Sequence, residues 1–171
     1  MKTGHVLIVG QTESGKTLCA QKLCRWYHGA GIKTTVLDPM CDPAWAADYI
    51  TADPDEYFSL IMDPDRCQGS ANFVDEGGLA LDRYQPQQQF LTCQARHHGM
   101  VSHIIAQRAT QVSKTTRAQC STIFAFNVNP GDAKELAQDF NAPILLEAPH
   151  LPQGQCIRVT RFQPPELLRM W

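Results

Sequence analysis

Short apolar runs alternate with helical patterns along the first third of the chain. The largely apolar segment His5–Val9 predicts a buried strand. After a glycine-containing turn, apolar residues recur about one helical turn apart up to residue 28, and Gly29-Ala-Gly31 is typical of a helix end. Residues 33–38 are β-branched and apolar and predict a second strand, followed by a short extended piece at 48–51.

The same alternation continues through the rest of the sequence. Asp53 followed by Pro54 is typical of a helix N-terminus and predicts a short helix to about residue 62. Further strands are predicted at 71–74, 101–106, 121–126, 144–147 and 155–162, and further helices at 85–98 and 132–140. The amphipathic segment 166–171 is expected to cap the core, with an exposed docking patch as the alternative. The pattern predicts an α/β fold: a mostly parallel central sheet flanked by helices, with a small C-terminal β extension.

The turn after the first strand carries the first chemical motif. It reads Gly10-Gln-Thr-Glu-Ser-Gly15-Lys16-Thr17, a GxxxxGKT sequence with a strand before it and a helix after it. Backbone N–H groups of such a loop bind phosphate, and the helix N-terminus adds about half a positive charge. Lys16 is expected to reach the β- and γ-phosphates, and Thr17 to bind Mg²⁺. The predicted binding residues are Gly10, Gln11, Thr12, Glu13, Ser14, Gly15, Lys16, Thr17 and Leu18. The expected cofactors are ATP and Mg²⁺, although these residues leave the choice between ATP and GTP open.

An apolar strand that ends in two acidic residues supplies the second motif. Asp75 and Glu76 follow Ala71-Asn-Phe-Val74, about 60 residues after the phosphate loop. Hard Mg²⁺ prefers carboxylate and water oxygens, so we expect Asp75 to hold the metal, usually through a water molecule. Glu76 is then the expected base that orients and deprotonates the attacking water.

The predicted strand 101–106 delivers a polar residue to the same region. Because the carboxyl ends of parallel strands line the ligand crevice, Gln107 is a candidate sensor of the γ-phosphate. A strand placed between the two motifs predicts the RecA-like (ASCE) arrangement of P-loop NTPases. The acidic pair and the polar sensor favour a hydrolase that couples ATP hydrolysis to motion. They are less typical of simple nucleotide kinases and Ras-like GTPases.

Composition is compatible with one intracellular domain spanning 1–171. The chain has 171 residues, 43% of them hydrophobic, and no apolar run approaches the roughly 20 residues of a membrane helix. We therefore expect no signal peptide and no membrane span. The seven cysteines show no CxxC pair, and most are interpreted as small buried residues in a reducing compartment.

Charge is unevenly distributed although the net charge is only −2. Residues 38–82 contain eleven acidic residues and one basic residue, whereas residues 83–131 contain five basic residues and none that are acidic. A solvated face is the ordinary explanation for such runs. A contact with a polyanion is the functional one.

The motifs together resemble the FtsK–HerA superfamily of DNA-pumping ATPases. The matching segments are GQTESGKT, VLDP, NFVDEGG, ARHHGMVSHIIAQRATQVSKTTRAQCSTIFAF and LPQGQCIRV, which cover most of the chain. The run from Arg96 to Phe126 is the discriminating part. The branch that it resembles is that of the small genome-packaging ATPases of membrane-containing, double-jelly-roll viruses and phages.

This resemblance implies roles for particular residues. It places Lys16 and Thr17 at phosphate and Mg²⁺, Asp75 at Mg²⁺, Glu76 as base and Gln107 as sensor. It further implies a hexameric ring in which an arginine of one subunit completes the site of the next. Arg117 matches that position, with Arg108 and Arg96 as the next candidates. A phosphate-backbone contact or a surface ion pair is the alternative role for Arg117.

The implied activity is ATP-driven translocation of double-stranded DNA into a preformed viral capsid. The implied partners are double-stranded DNA, further copies of the chain, and a capsid vertex or portal protein, in the host cytoplasm or the virion. The chain departs from the family in having Glu13 where glycine is usual, at a loop position that often needs a left-handed backbone. That charge either lowers nucleotide affinity or has a coordinating role.

Three other functions remain open from the sequence. A Zot-like ATPase of filamentous phages would export single-stranded DNA, although such proteins normally carry a membrane span. A nucleotide-binding structural subunit would turn over little ATP, and the unusual Glu13 in the phosphate loop is the feature that supports this alternative. A small-molecule kinase would transfer the γ-phosphate to an acceptor and would ignore DNA.

Overall fold

The centre of the protein is an eight-stranded sheet. The computed structural model describes residues 4–63, 65, 68–77, 87 and 90–171. The strands are β1 (His5–Val9), β2 (Thr34–Leu37), β3 (Tyr49–Thr51), β4 (Ala71–Val74), β5 (Val101–Ala106), β6 (Cys120–Ala125), β7 (Gln155–Thr160) and β8 (Glu166–Arg169). Their order in the sheet is β3-β2-β4-β5-β1-β6-β7-β8. Strands β1 to β6 are parallel, whereas β7 and β8 pair antiparallel at one edge. The predicted sheet and its C-terminal β extension are thus confirmed.

Four α-helices have their bounds within the described residues, and a side chain caps the start of every one of them except the first. They are α1 (Lys16–Gly29), α2 (Pro54–Ile61), α3 (Lys114–Gln119) and α4 (Pro130–Asp139). The Asp53 carboxylate accepts from the Asp55 N–H at the start of α2, and Asn129 caps α4 in the same way. Helix α1 ends beside Gly31, whose φ of 72° is readily accessible to glycine. No helix in the described part of the chain has the length and apolar character that crossing a bilayer requires.

Two apolar cores cover the two faces of the sheet. One contains Leu7 and Val9 of β1 with the buried residues of α2 and α4. The other contains Val6 and Ile8 with the buried side of α1. Because successive strand residues point to opposite faces, one continuous apolar strand can supply both cores. Strand β1 is therefore buried at every residue.

Two predicted elements differ from the structure. Residues 144–147 were expected to form a strand, but they belong to a 3₁₀ segment, Pro143–His150. The helix expected at 85–98 is a π-helical turn, Phe90–Gln94, followed by a 3₁₀ turn, Ala95–His98. Residues 78–86, 88 and 89, which include the start of that predicted helix, lie outside the described residues. Prolines at 143 and 149 flank the segment 144–147. They have no backbone N–H to donate, which disfavours the predicted strand.

The amphipathic segment 166–171 is buried on one side and exposed on the other. Met170 is buried and Leu168 packs against the core that contains α1, so this side of the segment caps the core. Leu167 and Trp171, by contrast, are 65% and 59% exposed. The segment is a strand at the sheet edge, where one row of side chains faces the core and the other faces solvent.

Candidate nucleotide-binding site

The phosphate loop is anchored tightly to the ends of two strands. Its Gly10 N–H donates to Ala106 O at 3.3 Å, and its Gln11 N–H donates to Asn127 O at 2.7 Å. A Cβ atom at Gly10 would lie 2.6 Å from Cβ of Phe126. Since real Cβ atoms do not approach a neighbour this closely, the first glycine of the motif is required by packing.

Two residues of the loop adopt left-handed backbone conformations. Gly15 has a φ of 109° and Glu13 a φ of 63°. The second value confirms the expectation that position 13 is one at which glycine would be favoured. The Glu13 side chain is exposed, so its charge remains in solvent although its backbone is left-handed.

Lys16 and Thr17 begin α1 directly below the loop. The Lys16 ammonium donates to Gln11 O at 2.8 Å, which folds the side chain back over the loop. Burial lowers the pKa of Lys16, and the negative charges of Asp75 and Glu76 oppose this effect. The Thr17 hydroxyl donates to a carboxylate oxygen of Asp75 at 3.4 Å. The two residues predicted to hold Mg²⁺ are therefore neighbours.

A cavity of about 300 Å³ opens beside these residues. Asp75 and Glu76 follow β4, and Gln107 follows β5. All three line the cavity together with Lys16 and Thr17, because adjacent parallel strands end at the same edge of the sheet. Glu76 is exposed and has a φ of 50°, and its N–H donates to the other Asp75 carboxylate oxygen at 2.9 Å. The motif residues thus converge on one space.

Asp38 also lines this cavity, although the sequence interpretation did not include it among the site residues. It follows β2, and its carboxylate accepts from Met40 N–H, Asp42 N–H and the Trp45 indole at 2.8–3.0 Å. These bonds hold the 38–42 loop against the site. The available signal was its position, since an acidic residue at the end of a predicted parallel strand is a site candidate in the same sense as Gln107.

The donor atoms of the site fit Mg²⁺. Burial raises the pKa of Asp75, and the nearby charges of Asp38 and Glu76 raise it further. Such a concentration of negative charge favours a cation. Thr17 and Asp75 are the residues that would hold the ion, together with phosphate and water oxygens, since Mg²⁺ usually keeps several waters.

Arg117 does not have the position expected of a finger for a neighbouring subunit. It is 5% exposed, and its guanidinium pairs with Asp139 at 2.6 Å and Glu135 at 2.8 Å. The remaining contacts are to the carbonyls of Ala109 and Val112. These contacts join α3 to α4 within one chain, so Arg117 is not the finger that the sequence predicts. It forms ion pairs, but with a buried guanidinium and not at the surface.

The other two arginine candidates are exposed. Arg108 directly follows Gln107, its side chain is 56% exposed, and it contacts Asp132 at 3.5 Å. Arg96 is also exposed, in the 3₁₀ turn before β5. Arg108 is therefore the finger candidate that lies beside the site.

The strand order and this cavity define the fold as that of a RecA-like P-loop NTPase. The phosphate loop follows β1, the acidic pair follows β4, and β5 lies between these strands in the sheet. This is the fold class that the sequence predicts.

Several solved structures have a similar fold. The genome packaging NTPase B204 from Sulfolobus turreted icosahedral virus 2, in complex with AMPPCP, has a TM-score of 0.82 at 15% identity, over 99% of this chain and 98% of that chain. The pCW3 conjugation coupling protein TcpA with ATPγS has a TM-score of 0.73 at 14% identity, over 98% of this chain and 60% of that chain. VirB4 of Thermoanaerobacter pseudethanolicus has a TM-score of 0.72 at 11% identity, over 96% of this chain and 88% of that chain.

No protein-family model matches the sequence, and neither does any curated protein sequence. At 11–15% identity, the structural similarities establish the fold. That fold is the one implied by the resemblance to FtsK–HerA ATPases.

Proposed function

We propose that this chain is an ATPase that moves double-stranded DNA and thereby packages a viral genome into a preformed capsid. The observation that carries the ATPase proposal is the cavity in which Lys16, Thr17, Asp75, Glu76 and Gln107 converge. The packaging proposal is supported by the sequence motifs and by the similarity to B204, which is described as a genome packaging NTPase.

Each of these residues has a role in hydrolysis. Lys16 neutralises charge on the β- and γ-phosphates, and Gln107 contacts the γ-phosphate. Glu76 orients a water molecule and accepts its proton as the water oxygen attacks the γ-phosphorus, while the bond to the ADP oxygen breaks. Thr17 and Asp75 would hold Mg²⁺, which would supply charge neutralisation for the phosphate oxygens.

Hydrolysis in this proposal depends on a ring, which we take to be hexameric. The γ-phosphoryl group spreads negative charge over three oxygens, and an arginine from a neighbour raises the rate by roughly 10³–10⁵-fold. Arg108 is the proposed arginine because its side chain is 56% exposed and its contact with Asp132 is as long as 3.5 Å, so the guanidinium is available to a neighbouring subunit.

Mixed subunits test this arginine directly. An Arg108→Ala subunit keeps its base, and a Glu76→Gln subunit keeps its arginine. If the arginine acts on a neighbour, mixing the two inactive variants restores activity at their shared interfaces. If the mixture stays as inactive as each variant alone, Arg108 does not act in trans.

The proposed DNA contact is the loop and helix start at 110–117. Lys114 is exposed at the first position of α3, within a stretch that lacks acidic residues from 83 to 131. Contacts of lysine with DNA phosphates carry little sequence information and weaken steeply with salt. DNA of any sequence must be held as it passes through a ring, so contacts that do not depend on base sequence are suited to this role.

The test of the proposed function is steady-state ATPase activity with and without linear double-stranded DNA, across protein concentration. We expect cooperative dependence on concentration, stimulation by DNA, and loss of turnover in Glu76→Gln. Lys114→Ala should lose DNA stimulation and keep basal turnover, whereas Lys134→Ala, on the exposed side of α4, is the matched control.

Other results identify the alternatives. Nucleotide binding without turnover would indicate a structural subunit, and stimulation by single-stranded DNA alone would indicate an export ATPase. A kinase would be indicated by activity that is first order in protein concentration, is not changed by DNA, and requires a phosphate acceptor. Each of these outcomes rejects the translocase proposal.

A further inference from the structure

Trp171 lies against the phosphate loop, where its indole contacts two glycines. A Cβ atom at Gly154 would lie 2.4 Å from Cε2 of the indole, so the ring packs directly on this residue. A Cβ atom at Gly15 would lie 3.2 Å from Cη2 of the same ring. Trp171 is nevertheless 59% exposed. The indole is therefore fixed on one side by the loop region and leaves a large aromatic surface open.

Backbone hydrogen bonds attach this tryptophan to the loop. Gly154 N–H donates to Ser14 O at 3.1 Å, and Met170 N–H donates to Gly154 O at 2.7 Å. The Lys22 ammonium, on α1, donates to Met170 O. The residue before Trp171 is thus held both by the segment that supports the phosphate loop and by the helix that follows this loop.

The sheet order determines on which side of the site the tryptophan lies. The residues proposed to contact the γ-phosphate follow β4 and β5, which lie on one side of β1. Trp171 follows β8, which lies on the other side of β1, beyond β6 and β7. The two groups of residues therefore flank the phosphate loop from opposite sides.

A nucleoside triphosphate bound in the loop would extend along this direction. Its γ-phosphate would lie near Asp75 and Gln107, and its phosphates would follow the loop to the N-terminus of α1 at Thr17. The nucleoside would then leave on the side away from β4. The exposed indole of Trp171 is on that side, beside Gly15, one residue before Lys16.

We propose that Trp171 is the stacking platform for the base of the bound nucleotide, an inference that rests on the proposed function. A flat, exposed and fixed aromatic ring loses little conformational freedom when a base stacks on it, and base–aromatic stacking stabilises complexes with every base. This contact would therefore raise affinity for ATP and GTP alike and would contribute little to the choice between them.

The other two tryptophans do not have this position. Trp45 is 4% exposed in the core. Trp26 is 58% exposed, but it lies ten residues beyond Lys16 on α1, about 15 Å along the helix axis. Trp26 is consequently a matched control, equally exposed but distant from the loop.

The test compares the binding of ATP with that of inorganic tripolyphosphate, which has no base, by titration calorimetry. Trp171→Ala should weaken ATP binding about tenfold or more, the range expected for loss of one stacking contact, and leave tripolyphosphate binding unchanged. Trp171→Phe should retain most of the ATP affinity, and Trp26→Ala should bind both ligands as the unmodified protein does.

Three results would overturn the inference while leaving the proposed function intact. If Trp171→Ala binds both ligands more weakly by the same factor, the indole only supports the loop. If ATP binding is unchanged, the base lies elsewhere. If the unmodified protein binds neither ligand, the proposed function fails and the inference fails with it. Aromatic stacking would also be rejected if a normally folded Trp171→Phe variant bound ATP as weakly as it binds tripolyphosphate.

Discussion

The Thr17 hydroxyl donates a 3.4 Å hydrogen bond to Asp75, although 58 residues separate the two in the chain. Thr17 begins α1, and Asp75 follows β4, a strand that is two positions from β1 in the sheet. The contact places a hydroxyl and a carboxylate, both suitable ligands for Mg²⁺, at one end of the same cavity.

This pair predicts a metal-dependent defect in Thr17→Ala. Binding of ATP in the presence of Mg²⁺ should weaken by at least about tenfold, since lost outer-sphere partners alone cost 10–100-fold in metal affinity or activity. Binding without Mg²⁺ should change little. Thr17→Ser is the control, because serine keeps the hydroxyl. Equal defects in both variants would mean that the defect comes from loss of the packed methyl group. The hydroxyl would then have no role in metal binding.

The left-handed backbone of Glu13 predicts a stabilising substitution. Glu13→Gly should raise the free energy of unfolding by up to about 1 kcal/mol, because glycine adopts this conformation without the Cβ penalty. Denaturant unfolding measures this change. Glu13→Gln keeps the backbone strain and removes the charge, so it separates the two effects.

Nucleotide affinity of the same variants distinguishes the two roles left open for Glu13. Tighter ATP binding in Glu13→Gln and Glu13→Gly would identify the charge as repulsive toward phosphate. Weaker binding in both variants would indicate that the carboxylate participates in ligand coordination. Unfolding and binding measurements on one set of proteins therefore address backbone strain and charge independently.

The buried guanidinium of Arg117 and its ion pair with the largely buried Asp139 predict that Arg117 acts on stability. Arg117→Ala leaves the Asp139 and Glu135 carboxylates without their partner and removes two hydrogen bonds to backbone carbonyls. Breaking a buried ion pair typically costs about 3–5 kcal/mol of unfolding free energy. Urea denaturation should detect a loss of this size.

Arg25→Ala is the control for this loss, because Arg25 is exposed on α1. Surface substitutions of this kind usually change stability by about 0.5 kcal/mol or less. An Arg117→Ala protein with normal stability but no concentration-dependent ATPase activity would restore the finger role that the sequence first indicated.

Two buried histidines predict acid sensitivity of the fold. Burial lowers the pKa of His103 to about 3 and that of His5 to about 4, from an ordinary value of 6.5. His103 stacks on Phe73 with a centroid distance of 4.1 Å and is fully buried. The folded protein therefore keeps both rings neutral at pH values where the unfolded chain binds protons.

The sign of the pH dependence follows from these shifts. The stability contribution is complete above pH 6.5 and is lost as the pH falls from 6.5 toward the folded-state values, by up to about 1.4 kcal/mol per pH unit for each histidine. His103→Leu should make the slope between pH 6 and 4 shallower by that amount. His97→Leu changes an exposed histidine and should leave the slope unchanged. An identical slope in His103→Leu would show that His103 is not responsible.

Local patterns were sufficient to place most of the secondary structure. The strand–loop–helix at 5–29, the cap at Asp53 and the strand at 101–106 depend on residues that are close in the chain. Parallel strands then bring their carboxyl ends together, so Asp75 and Gln107 could be assigned to the site of Lys16 before any contact was known. The left-handed conformation at position 13, by contrast, was expected from the resemblance to a family in which glycine is usual there.

Contacts between distant segments could not be inferred in this way. The basic residue that aligns with a finger position, Arg117, is buried because α4 presents Asp139 and Glu135 to it, and only packing of α3 on α4 creates that environment. The pairing of β8 with β7 likewise brings Trp171 onto the phosphate loop. Periodicity and capping report energies within a few residues, whereas burial, ion pairing and stacking depend on which distant surfaces meet.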